Sequence, residues 1–222
     1  TGGVQRVPMV LRTQGGAGKS VAAQHSQSLE ALFYHMPGLK VFMPSTPCDA
    51  RDLLIAAIRD DDPVVFIEHK LLYDVTGEVP DGGSGLEPGR AALRREGGDC
   101  TVVSYSRMAH VAVEAADTLA SEGIACDVLD LRTLVPMDRE AVVASVGKTG
   151  RLVIGTEAVR RGSVASDIAA WVAENAFNAL KAPIRIVAGR VTPIPYNPAL
   201  ESLCIPNAGD IVETVRKIVL RD

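Results

Sequence analysis

No C-x-x-C pair occurs among the four cysteines, Cys48, Cys100, Cys126 and Cys204, and their wide separation argues against a zinc ribbon or a disulfide framework. Buried thiols in a reducing compartment, the cytoplasm, are the expected state. The 23 basic residues are dispersed against 27 acidic ones, for a net charge of -4, with Arg94-Arg95 and Arg160-Arg161 the notable doublets. A nucleic-acid partner is therefore not expected. No apolar run approaches the roughly 20 residues of a bilayer-spanning helix, and no charged start precedes an apolar segment as in a signal peptide. No membrane partner is expected either. Internal repeats and low-complexity tracts are also missing. The chain begins TGGVQRVPMVLRT, without an initiator Met and a few residues before a buried-type strand. It is expected to be a fragment, with functional residues upstream.

What is present is 222 residues that are 47% hydrophobic, enough for one large or two modest α/β domains. Val7 to Arg12 reads as a strand, and the glycine-rich segment GGAGKSVAAQHSQS follows directly. Its glycines permit a sharp turn, and Leu29, Leu32, Phe33 and Met36 recur at helical spacing. This reading places His25 on the first turn of a helix beside an anion-friendly loop. GAGKS also matches the tail of a phosphate-binding loop, but the motif G-x-x-x-x-G-K-[ST] needs glycine where Thr13 stands. A nucleotide-hydrolase reading is weakened at that position. A turn without any ligand is the plain alternative.

Downstream, Lys40 to Met43 reads as a short strand. Thr46 as N-cap, Pro47 at the first helical position and Asp49 three residues after the cap then mark a helix start. Its buried face is expected at Leu53, Leu54, Ala57 and Ile58. Val64 to Ile67 has the continuous apolar pattern of a parallel strand covered on both faces. Residues 75–98 are rich in glycine and proline and read as a linker. Beyond them, strands at Thr101 to Tyr105, Ile124 to Leu131, Leu152 to Thr156 and Ile184 to Ala188 alternate with helices at Met108 to Glu122, Asp138 to Val146, Ser163 to Phe177 and Ile211 to Leu220. The first of these βαβ units should cross over right-handed.

Asp60, Asp61 and Asp62 follow the helix that starts at Pro47, at an end where the macrodipole is already negative. Two readings fit. One is a solvated turn; the other is a hard cation held by free carbonyls and one or two of the carboxylates.

The string AAQHSQSLEALFYHMPGLKVFMPSTPCDARDLLIAAIRDDDPVVFIEHKLLYD resembles the beta subunit of the thiamine diphosphate-dependent component of 2-oxo acid dehydrogenase complexes. RTLVPMD, KTGRLVIGTEA, SDIAAWVAENAFNALKAPI and TPIPYNPALESLCIP are similar to that subunit's C-terminal domain. EHKLLYD, GEVP and AFNALKAPI look most like acetoin dehydrogenase, with pyruvate dehydrogenase next.

The resemblance implies an α/β fold in which residues 1–74 are the latter part of a thiamine-binding, transketolase-like pyrimidine domain. Residues 99–222 would form a transketolase C-terminal-like domain with a mostly parallel sheet. It implies an alpha subunit in an alpha2-beta2 heterotetramer, docking on a lipoyl-bearing dihydrolipoamide acetyltransferase core, and thiamine diphosphate with magnesium shared with the alpha subunit. The two-carbon unit of acetoin, or of pyruvate, would pass to lipoamide. The glutamate that activates the cofactor would lie upstream of Thr1, so this chain alone should lack part of the cofactor site and be inactive.

His25 falls on the family's active-site histidine. A helix start disfavours an imidazolium and so suits proton exchange or donation. Read from residues alone, His25 is slightly better explained as a helix residue bonded to backbone, and the resemblance reverses that preference. His35, His69 and His110 are assigned no chemistry. For the acidic turn, the resemblance implies a structural potassium ion at Met9, Ala57, Ile58, Asp60 and Asp62, with Asp62 standing where many relatives have Asn. Glu201, Glu213 and Asp222 lie near the surface through which the family docks, and each reads as ordinary surface charge. A noncatalytic docking or scaffold piece is the remaining alternative class.

Overall fold

The computed structural model describes residues 4–83 and 85–220; Thr1 and Asp222 lie outside them. In the first half, β1 (Val10–Gly15), α1 (Ala22–His25), α2 (Glu30–Tyr34), β2 (Lys40–Phe42), α3 (Pro47–Arg59) and β3 (Val64–His69) follow one another. The second half contains β4 (Ala92–Arg95), β5 (Cys100–Ser104), α4 (Arg107–Ala120), β6 (Cys126–Asp130), β7 (Thr133–Val135) and α5 (Arg139–Thr149). It continues through β8 (Leu152–Val159), α6 (Val164–Asn175), β9 (Arg185–Gly189), α7 (Pro198–Ser202) and α8 (Ala208–Val219).

Two sheets result, one ordered β1-β3-β2-β7 and the other β4-β6-β5-β8-β9. Both are parallel except at one edge, where β7 and β4 run antiparallel. Side-chain alternation along the strands assigns the layers. Val65 and Ile67 of β3, with Val103 of β5 and Ile154 of β8, point into a core between the sheets that α5 and α6 complete. Phe66 and Val64 point the other way, under Leu53 and Ala57 of α3. Val102 and Val153 face α4 and α8 on the far side of the second sheet. Burial on both faces explains why these strands lack polar alternation.

Local signals set the helix starts. Thr46 Oγ1 accepts from Asp49 N at 3.1 Å with Pro47 behind it, and Asn207 and Asp210 close a capping box on α8. No helix among the described residues is long and apolar enough to cross a membrane.

Four expectations change. First, residues 92–95 form a strand inside the span read as linker. Its anchor is ionic and therefore invisible to an apolar pattern: Arg94 Nε and Nη2 bond Asp130 Oδ2 at 3.0 and 2.7 Å, and Arg94 also pairs with Asp49. Second, Thr133 to Val135, left without an element, adds β7 to the first sheet and joins the two halves. Third, Ile58 is exposed and leaves the buried face of α3 to Leu53 and Ala57.

The fourth change concerns the segment around His25. One continuous helix was expected, but α1 is a single turn that ends at His25, and α2 starts afresh at Glu30. Carbonyls that would continue the ladder are claimed from outside: Lys70 Nζ donates to His25 O, and Gly16 N donates to Gln27 O at 3.2 Å. His25 therefore sits at a C-terminal end, and the macrodipole argument for a disfavoured imidazolium does not apply. Leu29, Leu32 and Met36 consequently face solvent.

Candidate active site

Parallel strands in open α/β sheets place loops and ligands at their carboxyl ends. Here the carboxyl ends of β1, β3, β5 and β8 deliver the glycine-rich loop, His69 with Lys70, Tyr105 to Arg107, and Glu157 to one region. Loop and strand ends are pressed together. A Cβ on Gly16, where φ is +88°, would stand 2.1 Å from His69 Nε2, and one on Gly18 would stand 2.5 Å from Leu71 Cδ1. Only glycine fits either place.

Two buried carboxylates from the second half of the chain receive the loop's amides. Glu157 Oε1 accepts from Ala17 N at 2.7 Å and from Ser28 Oγ at 3.1 Å. Glu201 Oε1 accepts from Gly18 N at 2.8 Å, while its Oε2 accepts from Ser20 N at 2.9 Å and Ser20 Oγ at 3.3 Å. The anion-binding character of GGAGKS is thus real, but its donors are filled by this chain's own glutamates. The amides of Ala17, Gly18 and Ser20 are thereby taken and are not open to a phosphate. Glu201, expected on the surface, is 2% exposed because Asn197 caps the short α7 and turns the glutamate inward.

His69 is buried opposite Glu157. Its Nδ1 accepts from Leu71 N at 3.2 Å, so Nε2 carries the proton and donates to Glu157 Oε2 at 2.9 Å. Arg107 Nη1 stands 3.7 Å from the same oxygen. Burial pushes the Glu157 carboxyl up, but the His69 hydrogen bond, the Ala17 amide and Arg107 more than offset it and hold it below the usual range. Lys70 is lowered by burial, against the pull of Glu157 and Glu201. Its ammonium fixes the backbone at His25, whose imidazole is exposed.

Behind the loop lies a cavity of about 30 Å³ lined by Glu30, His69, Tyr105, Ser106, Arg107 and Glu157. That space suits about two waters. Tyr105 Oη donates to Glu30 Oε1 at 2.8 Å and meets Thr156 Oγ1 at 2.8 Å. Complete burial raises the Glu30 carboxyl above its usual range.

The residues named for a cation separate into two kinds. Met9 O accepts from Val64 N at 2.9 Å and Ala57 O from Asp60 N at 3.3 Å, each keeping a free lone pair. Ile58 offers its carbonyl at the same helix end. The carboxylates are already paired: Lys40 Nζ is 2.7 Å from both Asp60 oxygens and 3.2 Å from Asp62. Among the described residues no group of three or more His, Cys, Asp or Glu is arranged for a metal. His25 lies with none of the cation residues. Elsewhere, His110 Nε2 bonds Ser45 O at 2.6 Å, and His35 caps α2 through its backbone.

Sequence reasoning assigns His69 no chemistry, reads Glu201 as ordinary surface charge and does not single out Lys70 or Glu157. A usable signal existed for three of them, since His69, Lys70 and Glu157 end or follow apolar strands. The Asn197-Pro198 helix start marked the element carrying Glu201.

Two parallel-sheet units joined through a glycine-rich loop define a chain of the transketolase type. The transketolase pyrimidine binding domain family matches residues 1–76, and the transketolase C-terminal domain family matches residues 89–211. Over 216 residues the chain is 52% identical to the acetoin:2,6-dichlorophenolindophenol oxidoreductase subunit beta of Cupriavidus necator, covering 97% of this chain and 64% of that protein. It is 42% identical to the pyruvate dehydrogenase E1 component subunit beta of Bacillus subtilis, covering 99% of this chain and 67% of the relative. A solved split-gene transketolase, an inactive beta4 tetramer, superposes with a TM-score of 0.80 at 28% identity, covering 97% of this chain and 67% of that one. The chain belongs to the family of dehydrogenase beta subunits built from these two transketolase domains. It spans 64% of the length of the acetoin relative.

Proposed function

We propose that this chain is part of the beta subunit of a thiamine diphosphate-dependent dehydrogenase that cleaves acetoin and passes the two-carbon unit to lipoamide, with His25 as its proton-transfer residue. One observation carries the reading: an exposed imidazole stands on backbone that a buried ammonium and a clamped loop immobilise. Thiamine diphosphate, bound with magnesium, supplies the carbon nucleophile. Glutamates of this chain already hold the Ala17, Gly18 and Ser20 amides, which suits a cofactor held by upstream residues and an alpha subunit in an alpha2-beta2 heterotetramer.

With that cofactor bound, a ring nitrogen of His25 would give or take a proton at substrate oxygen or sulfur. Lys70 holds the turn that aims it. The exposed Leu29, Leu32 and Met36 beside His25 supply apolar surface for the alpha subunit to cover. Docking on a lipoyl-bearing dihydrolipoamide acetyltransferase core completes the assembly. Four free cysteines suit a cytoplasmic protein.

A structural potassium ion belongs to the same proposal. The carbonyls of Met9, Ala57 and Ile58 and the oxygens of Asp60 and Asp62 would hold it, with Lys40 neutralising the carboxylates. Such an oxygen-only donor set suits a hard cation. Potassium chloride should raise thermal stability above that in choline chloride, and Asp60→Ala should abolish the difference. Equal stability in both salts rejects the site.

The function is tested in the full-length subunit with its alpha partner. Acetoin should show the higher kcat/KM, and pyruvate the lower. A preference for pyruvate selects the pyruvate dehydrogenase reading; turnover of neither rejects both.

A further inference from the structure

We propose that Glu201 is a positioning residue for His25, a carboxylate of the C-terminal half that acts as the fixed anion of the glycine-rich loop. The inference rests on the role proposed for His25. Both oxygens of Glu201 are used on the loop, one on the Gly18 amide at 2.8 Å and the other on the Ser20 amide at 2.9 Å. These are charge-assisted bonds in a buried setting, so they are stronger than the amide–carbonyl bonds of ordinary turns.

The loop requires such a clamp because its backbone is unfavourable. Ser20 and Ala22 both have positive φ, 55° and 56°, without being glycine. Backbone of this kind persists only where surrounding contacts over-determine it. The Ser20 amide and hydroxyl are both held by Glu201, and Ala22 opens the turn that ends at His25. On the other side, Lys70 holds the His25 carbonyl. The path from carboxylate to imidazole is therefore one strained turn fixed at both ends.

Chemistry elsewhere in the loop agrees. Lys19 points outward to Asp74 at 3.3 Å, so no cation of the loop competes for Glu201. Glu157 secures Ala17, one residue before the clamped segment, and confines the movement on losing Glu201 to residues 18–25. A displacement of about 1 Å in a reacting group costs on the order of 100-fold in rate. Glutamine at position 201 keeps shape but offers one acceptor oxygen and an amide that opposes a backbone N–H.

The test uses the full-length subunit assembled with its alpha partner and compares wild type, Glu201→Gln and His25→Ala. Glu201→Gln is expected to lower kcat for acetoin at least tenfold with KM within about twofold, and to speed hydrogen exchange at Gly18 and Ser20 at least tenfold while α4 stays protected. Should Glu201→Gln not assemble, Glu201→Asp, which withdraws the charge by one methylene, is read in the same way. Normal kcat in the Glu201 variant beside an impaired His25→Ala overturns the positioning role and leaves the proposed function intact. Unchanged exchange at Gly18 and Ser20 overturns it whatever the activity. Faster exchange and lowered kcat in the Glu201 variant, beside full activity in His25→Ala, overturn the role assigned to His25 instead.

Discussion

Removing the Glu157 carboxylate should be among the most damaging single changes to this fold. Its oxygens accept from Ala17 N at 2.7 Å, His69 Nε2 at 2.9 Å and Ser28 Oγ at 3.1 Å, and Arg107 lies at 3.7 Å. Glu157→Ala leaves three donors without their acceptor and the Arg107 guanidinium without a nearby counter-charge. A hydrogen bond to a charged group contributes about 1.5–3 kcal/mol, but the adjacent cavity can admit water to some of the donors. Breaking a buried ion pair by truncating one partner costs about 3–5 kcal/mol, and we expect a loss in that range. Glu157→Gln should lose roughly 2 kcal/mol. Its amide oxygen can serve Ala17 and Ser28, but its NH₂ then faces a donating His69 whose Nδ1 is already engaged by Leu71. Urea unfolding of the full-length subunit, followed by circular dichroism, measures both losses. Losses under about 1 kcal/mol in both variants would refute the network as drawn.

Gly16→Ala should abolish soluble expression or destabilise strongly, because its Cβ would meet the His69 ring, whereas Gly98→Ala, which meets nothing within 4 Å, should be close to neutral; comparable unfolding midpoints would contradict the close approach. Glu30 titrates in the sense opposite to a paired carboxylate. Its folded pKa is raised by burial, so its favourable contribution is complete below the unfolded value of 4.5 and falls as pH rises toward the folded one. Glu30→Gln should thus gain on wild type as pH rises above 4.5, and a constant gap in denaturation midpoint would contradict this. Glu157, whose folded pKa is lowered, contributes stability above its unfolded value that is lost as pH falls through the folded one. The deficit of Glu157→Gln should therefore narrow in acid, as measured by urea midpoints at pH 7 and pH 3.

Periodicity and caps made most of the architecture legible. Apolar runs such as Val64 to Ile67 and Thr101 to Tyr105, and the Thr46-Pro47 start, identify strands and helices because burial and capping are local. Where long-range polar contacts decide, the sequence is mute. The helix expected through His25 is interrupted because Lys70, 45 residues away, takes its carbonyl. The strand at 92–95 forms because Arg94 reaches Asp130 and Asp49. Glu201 resembles any surface acid until folding brings it 183 residues back to Gly18. The role proposed for His25 rests on family resemblance, since residue chemistry leans slightly to a backbone-bonded histidine and the helix dipole invoked for it is missing.

The most direct test of the account is the rate of acetoin-dependent lipoamide acylation by the full-length subunit assembled with its alpha partner, compared between wild type and His25→Ala. Loss of general acid–base catalysis predicts a fall in kcat of about 100- to 10,000-fold with the complex still assembled. Wild-type kcat in the His25→Ala complex would contradict the assignment.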